Sequence, residues 1–155
     1  MSDLERAERP LRWSAGVLAA VVAGLHAYWA LPNMALQLQV WQFPDPRPAA
    51  FLLATMAILM GIILVILGFD PLPIYVAGAA LMVVFLGGYV AWHTVLEHGA
   101  FWPGREPHGH HDAGVVEVVV DHLSNDTFEL VSKLSELGLL VVLSALATIE
   151  FRRRG

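Results

Sequence analysis

The sequence lacks cysteine and is poor in charge. Without cysteine the chain forms no disulfide, binds no metal or iron–sulfur cluster through thiolates and has no thiol nucleophile. Charged residues make up 15% of the 155 positions, against about 25% in an average soluble domain. Lysine occurs once, as Lys133, and the net charge of −5 argues against the basic face that binds nucleic acid.

Apolar side chains, by contrast, are abundant and occur in long runs. They make up 57% of the chain, and the mean hydropathy is +0.61. A helix needs about 20 mostly apolar residues to cross a bilayer. Four segments approach this length: residues 13–31, 49–69, 73–97 and 127–151. The sequence therefore predicts a single all-α membrane domain over residues 1–155, a bundle of four transmembrane helices in contact with the lipid bilayer.

Arginine at both ends of the chain predicts the topology. Six of the nine basic residues flank the first and last spans: Arg6, Arg9, Arg12, Arg152, Arg153 and Arg154. Basic residues near the ends of spans favour the cytoplasmic side. Two cytoplasmic termini require an even number of spans, so four spans fit and three do not. We expect a multi-pass protein of the cell membrane.

Prolines and polar residues predict where the spans end. Pro32-Asn33 is expected to end the first span, leaving Asn33–Phe43 as a short amphipathic segment in the interface. The sequence between Gly68 and Pro73 predicts a tight turn, and Asp126 is a candidate N-cap for the fourth span, with Glu129 completing a capping box. Within the long loop, residues 99–125, the run Val115–Leu123 is compatible with a helix or a strand.

All seven histidines fall on the predicted outer side, where carboxylates are also frequent. Histidine with Asp or Glu is the ligand set for zinc, copper, nickel or non-haem iron. The densest tract predicts a divalent transition-metal site, to which more distant residues would contribute: His108, His110, His111 and Asp112, with His98 and His122. A solvated polar loop and a pH sensor, based on the histidine pKa near 6.5, are the alternatives.

Two histidines lie within the predicted spans. His26 and His93 are both in the outer part of their helices, so they could hold a haem iron between them as axial ligands. A shared metal site and simple hydrogen bonding to a neighbouring helix are the other interpretations. The spacing of His93 and His98 differs from the i, i+4 pair of zinc proteases, which excludes that enzyme class.

Three further patterns have structural interpretations. Glu129, Lys133 and Glu136 share one stripe and predict an ion-pair ladder that snorkels from the outer interface, with a proton or ion path as the alternative. The stripe Gly16, Ala20 and Gly24 predicts close helix packing. An aromatic belt at the outer interface explains six residues: Trp29, Trp41, Trp92, Trp102, Tyr28 and Tyr89.

Short motifs in three spans resemble a group of other proteins. They are Gly24-Leu25-His26, Pro48 leading into an Ala/Leu-rich span, and Tyr89-Val90-Ala91-Trp92-His93. In these motifs and in its layout the chain is similar to small four-span membrane proteins of salt-loving archaea. The resemblance implies the membrane class and no activity.

These observations lead to three hypotheses on function. The first is a non-catalytic accessory or assembly subunit, with a homo-oligomer or a membrane-protein partner and no nucleic acid. The second is extracytoplasmic binding or handling of a divalent metal through the His-rich loop. The third is a haem b electron carrier. No nucleophile elbow and no phosphate-binding loop occurs in the sequence, so no catalytic residue is predicted.

Overall fold

A computed structural model describes residues 3–96 and 114–154, and this part of the chain is helical without a β-strand. The all-α prediction is confirmed. Five helices follow one another: α1 (Asp3–Val40), α2 (Arg47–Ile66), α3 (Pro71–His93), α4 (Val115–Asn125) and α5 (Thr127–Arg152). All but α4 are long and apolar enough to cross a membrane. Residues 97–113 lie outside the described part.

The first helix is longer than the sequence predicts. It runs through Pro32 without ending and continues to Val40, so the predicted end of the helix at Pro32-Asn33 is wrong. The position of Asn33–Phe43 in the membrane interface stays a prediction. Proline removes one helical hydrogen bond, but neighbouring side chains can satisfy freed carbonyl groups. Pro32 leaves the Tyr28 carbonyl without its helical donor, and the side-chain N–H of Asn33 donates to the neighbouring Trp29 carbonyl at 2.6 Å. In the last turn of α1, Gln37 donates to the Asp45 carbonyl, which fixes the connection to α2.

The turn between α2 and α3 forms where the sequence predicts it. Gly68 has a φ of +81°, a conformation that glycine adopts without a steric penalty. Asp70 then caps α3 by accepting from the Leu72 N–H, and Arg154 at the other end of the chain pairs with the same carboxylate. The Arg154 guanidinium, together with the Leu72 N–H, holds the pKa of Asp70 below its ordinary value.

The predicted cap of the fourth span is also present. Asp126 accepts from the N–H groups of Phe128 and Glu129 at 2.8 and 3.1 Å. The Glu129 side chain does not complete the capping box, because it bonds to α3 instead. The segment Val115–Leu123, left open between helix and strand, is helical and lies within α4, which buries Val118 against the bundle.

The four long helices pack in the cyclic order α2, α1, α5, α3. The contacts of α1 with α2 and α5 and of α3 with α5 are extensive, whereas α2 and α3 barely touch. The core is a cluster of apolar side chains from all four helices: Val22, Ala23, Ile58, Met82 and Leu139. Where α2 and α3 separate, the bundle contains a cavity of about 620 Å³. Its lining is almost entirely apolar and includes Tyr75.

Ion pairs join the first and last helices at one end of the bundle. Arg12 on α1 donates to Glu150 on α5 at 2.8 Å and also pairs with Glu8 one turn earlier. Arg153 reaches back to Glu8 and Glu150. The start of α1 and the end of α5 therefore lie side by side, as an even number of spans requires. Which side of a membrane this end faces stays a prediction.

Close helix packing depends on glycines other than the predicted ones. A Cβ added at Gly16 or Gly24 would meet nothing within 4 Å, and Ala20 is exposed, so the predicted stripe makes no close contact within the bundle. A Cβ at Gly78 would instead lie 2.8 Å from Leu143 Cδ1, where α3 approaches α5. The sequence identifies the small residues but does not show which face of each helix contacts its neighbours.

Substitution of Gly78 tests this packing. We expect Gly78→Leu to lower the free energy of unfolding by about 1–3 kcal/mol, because a large side chain forces α3 away from α5. The matched control is Gly87→Leu on the same helix, where the added side chain enters open space. SDS titration of the protein in detergent micelles, followed by circular dichroism, measures both. Equal stability of the two variants would contradict the packing described here.

Candidate functional site

A fully buried carboxylate lies at the centre of the polar groups. Glu136 on α5 has no exposed side-chain surface and forms hydrogen bonds with three groups. Ser132 Oγ donates to Oε1 at 3.1 Å, and Lys133 Nζ donates to Oε1 and Oε2 at 2.7 and 2.6 Å. His26 Nε2 lies 2.9 Å from Oε1 and reaches it from α1. A buried charge needs such partners, because removing it from water is otherwise prohibitively costly.

The imidazole ring of His26 is in contact with aromatic rings and, through Nε2 at its edge, with Glu136. Its ring stacks on Phe51 of α2 at a centroid distance of 4.8 Å and contacts Phe85 of α3 at 4.7 Å. Only 3% of its surface is exposed. The second ring nitrogen, Nδ1, is buried without a hydrogen-bond partner among the described residues. His26 therefore connects all four long helices, by two aromatic contacts and the bond to Glu136.

A second cluster of polar side chains lies around Glu129. Tyr89 donates its hydroxyl to Glu129 Oε2 at 2.7 Å, and His93 Nε2 is 4.0 Å from Oε1. His93 Nδ1 is 2.9 Å from the Tyr89 carbonyl, which can only accept, so Nδ1 carries the proton of this bond. His122 on α4 makes the same kind of bond to the Val118 carbonyl, and its ring lies 4.5 Å from that of His93.

Arg47, the first residue of α2, contributes a cation to this end of the bundle. Its Nε and Nη2 donate to the Asp45 carboxylate at 3.1 and 2.7 Å. Its guanidinium carbon lies 4.4 Å from the ring centroid of Trp92 and 5.2 Å from that of Trp29. Contact with aromatic faces stabilises a guanidinium and restricts its orientation.

These groups surround one cavity of about 330 Å³, which we call the His26 cavity. The volume is at the lower end of the range for small-molecule sites. All four long helices contribute to its mostly apolar wall, which consists of Leu25, His26, Trp29, Arg47, Ala50, Phe51, Val84, Phe85, Gly88, Tyr89, Trp92, His93, Asp126, Phe128, Glu129, Ser132 and Lys133. Apolar walls with a few fixed polar groups are typical of ligand sites.

The structure brings some of the predicted site residues together. His26 and His93, the pair predicted for haem, both line the His26 cavity. His122, a predicted metal ligand, contacts His93. The remaining predicted ligands lie outside the described residues: His98, His108, His110, His111 and Asp112. Within residues 3–96 and 114–154 no group of three His, Asp or Glu side chains is arranged to hold a metal ion. The metal and haem interpretations stay predictions.

Two patterns in the sequence have a different role in the structure. The ladder of Glu129, Lys133 and Glu136 forms only in part, because Glu129 bonds to Tyr89 and Glu136 is buried rather than snorkelled. Tyr28 and Trp41 are exposed, Trp102 lies outside the described residues, and the aromatic belt stays a prediction. However, Trp29, Tyr89 and Trp92 line the cavity, as do Arg47, Ser132 and Lys133, which the sequence did not identify as site residues. Glu136 is the only deep acid in the predicted fourth span, and it was the one feature of the sequence that could have indicated a buried polar cluster.

Comparisons with protein-family models, with curated proteins and with solved structures found no match to the chain.

Removal of the buried carboxylate tests the central cluster. We expect Glu136→Ala to lower the free energy of unfolding by about 3 kcal/mol, because it leaves the Lys133 ammonium and His26 without their partner. The measurement is SDS titration in detergent micelles, followed by circular dichroism.

The double variant Lys133→Met with Glu136→Leu is the control for this experiment. It removes the charge and its partner together and replaces them by apolar side chains, so we expect it to recover most of the lost stability. If Glu136→Ala were as stable as the parent protein, the carboxylate would not hold the cluster together.

Proposed function

We propose that this protein is a multi-pass protein of the cell membrane that binds a small, partly apolar molecule in the His26 cavity. The observation that carries the proposal is the convergence of charged and aromatic side chains from all four candidate spans on one cavity. A bundle needs no such group for stability, since apolar side chains of similar volume serve as well or better than buried ion pairs. Ionisable residues within spans are functional-site candidates for this reason.

The arrangement of the cavity supports binding rather than catalysis. Its wall is mainly apolar, and its polar groups are held by neighbours: Glu129 by Tyr89, and Lys133 by Glu136. Groups fixed in this way orient a ligand with little loss of conformational entropy on binding. The sequence analysis gave three other hypotheses: an accessory subunit, a metal handler and a haem carrier. These hypotheses are supported by sequence patterns alone.

The basic ends of the chain support an orientation for the cavity. Arg12 and Arg153 lie at the end of the bundle opposite to the His26 cavity, together with the other terminal arginines of the sequence. With this end in the cytoplasm, as the distribution of basic residues favours, the cavity lies in the outer half of the bilayer. A ligand would then enter from the outer leaflet or from the outer aqueous phase.

Obstruction of the cavity tests the proposal. Gly88 lines the cavity, and a Cβ added there meets nothing within 4 Å, so Gly88→Phe is expected to fold and fill the space. Gly87→Phe is the matched control, because Gly87 is the adjacent glycine with equal room and is not part of the cavity wall.

The experiment uses the full chain in nanodiscs of phosphatidylcholine and measures the fluorescence of the tryptophans, two of which line the cavity. The probes are octanoate, octyl phosphate, octyltrimethylammonium and octanol. We expect at least one probe to give a saturable change in the parent protein and in Gly87→Phe, and none in Gly88→Phe. If no probe saturates, or if the two phenylalanine variants respond alike, the proposed function is wrong.

A further inference from the structure

Arg47 offers hydrogen-bond donors that its ion pair does not use. A guanidinium has five N–H donors in one plane. Nε and Nη2 of Arg47 are engaged by Asp45, and Nη1 forms no hydrogen bond to the part of the chain that the structure describes. The rings of Trp29 and Trp92 contact the guanidinium, so they favour donation within its plane. Such a donor edge can bind two oxygens of a carboxylate or phosphate group at once.

Lys133 provides the second cation of the cavity. Its ammonium has three donors, and its two contacts with Glu136 leave one for other acceptors. The nitrogen also lies 5.1 Å from the centroid of the Tyr89 ring. Because Glu136 fixes the ammonium from the buried side, the charge stays at the cavity wall.

The acidic groups of the cavity also have donors within the protein. Glu129 accepts from the Tyr89 hydroxyl, and Asp126 accepts from two backbone N–H groups at the start of α5. The aromatic faces that could bind a ligand cation are also in use, since Arg47 lies over Trp29 and Trp92. A cationic ligand would have to displace the protein's own cations from these rings, whereas an anionic ligand would meet unused donors.

The apolar part of the wall limits the size of the ligand. Leu25, Phe51, Val84, Phe85 and Phe128 line the remaining volume. The 330 Å³ of the cavity are at the lower end of the range for small-molecule sites. This is the size of a short hydrocarbon chain or a small ring system with a polar head.

We propose that the His26 cavity binds an amphipathic oxyanion, a carboxylate or phosphate on a short apolar body, with the anionic head on Arg47 and Lys133. The inference rests on the proposed function and adds the class of the ligand. The same chemistry is offered by a free amphiphile and by the headgroup of an anionic lipid, and the two sources are separated by experiment.

The test compares probes of equal chain length but different heads in the nanodisc assay, where octanoate and octyl phosphate carry an oxyanion. We expect both to bind at least about tenfold more tightly than octyltrimethylammonium, because hydrogen bonds to charged groups contribute this much or more. Arg47→Gln should weaken both anions about tenfold and leave octanol within about twofold. Arg9→Gln, the same change at an exposed position at the other end of the bundle, should change neither.

Tighter binding of the ammonium probe, or unchanged anion binding in Arg47→Gln, would overturn the oxyanion inference. If Gly88→Phe still abolished binding of the probes, the proposed function would stand while the oxyanion inference failed. The two failures are therefore distinguishable. Phosphatidylglycerol added to the nanodiscs identifies the source. Competition with octyl phosphate assigns the site to a lipid headgroup, and absence of competition assigns it to a free amphiphile. Either result supports an oxyanion site.

Discussion

The structure depends on the way a carboxylate is held in the middle of an apolar bundle. Glu136 has no exposed side-chain surface, yet it is surrounded by donors: Ser132 and Lys133 on its own helix and His26 across the interface with α1. The bond thereby joins α1 and α5, two helices that are separated by most of the chain. The same contact orients His26 between Phe51 and Phe85, and these rings form part of the cavity wall. The buried charge thus fixes one histidine and, through it, contacts two rings of the cavity wall.

The two ends of the bundle use charge differently. At the end that contains both termini, Arg12, Arg153, Glu8 and Glu150 pair with one another and hold α1 against α5. At the opposite end charged side chains line a cavity, and the Arg47 cation is packed against aromatic rings. The charges of the first end are used in contacts between helices, whereas those of the second end also face a space that a ligand can occupy. This asymmetry locates the candidate site.

Helices were predictable from the sequence, and contacts between helices were not. Long apolar runs require helices in a membrane, and local capping chemistry predicted the turn at Gly68 and the cap at Asp126. The continuation of α1 through Pro32 was not predictable, because a proline inside a helical pattern more often ends the helix. The bond between His26 and Glu136 joins residues 110 positions apart, and no local pattern encodes such a pairing. Trp29 and Trp92 looked like belt residues because composition does not show which side of a helix faces a cavity.

A double-mutant cycle between His26 and Glu136 tests the central contact most directly. The cycle compares His26→Ala, Glu136→Ala and the double variant by their free energies of unfolding in SDS titrations. Residues in contact show interaction energies of about 0.5–3 kcal/mol, whereas distant residues are additive within a few tenths. We expect a favourable coupling of at least about 1 kcal/mol. Additive effects of the two substitutions would mean that the two side chains do not interact, and the cavity built around their contact would lose its basis.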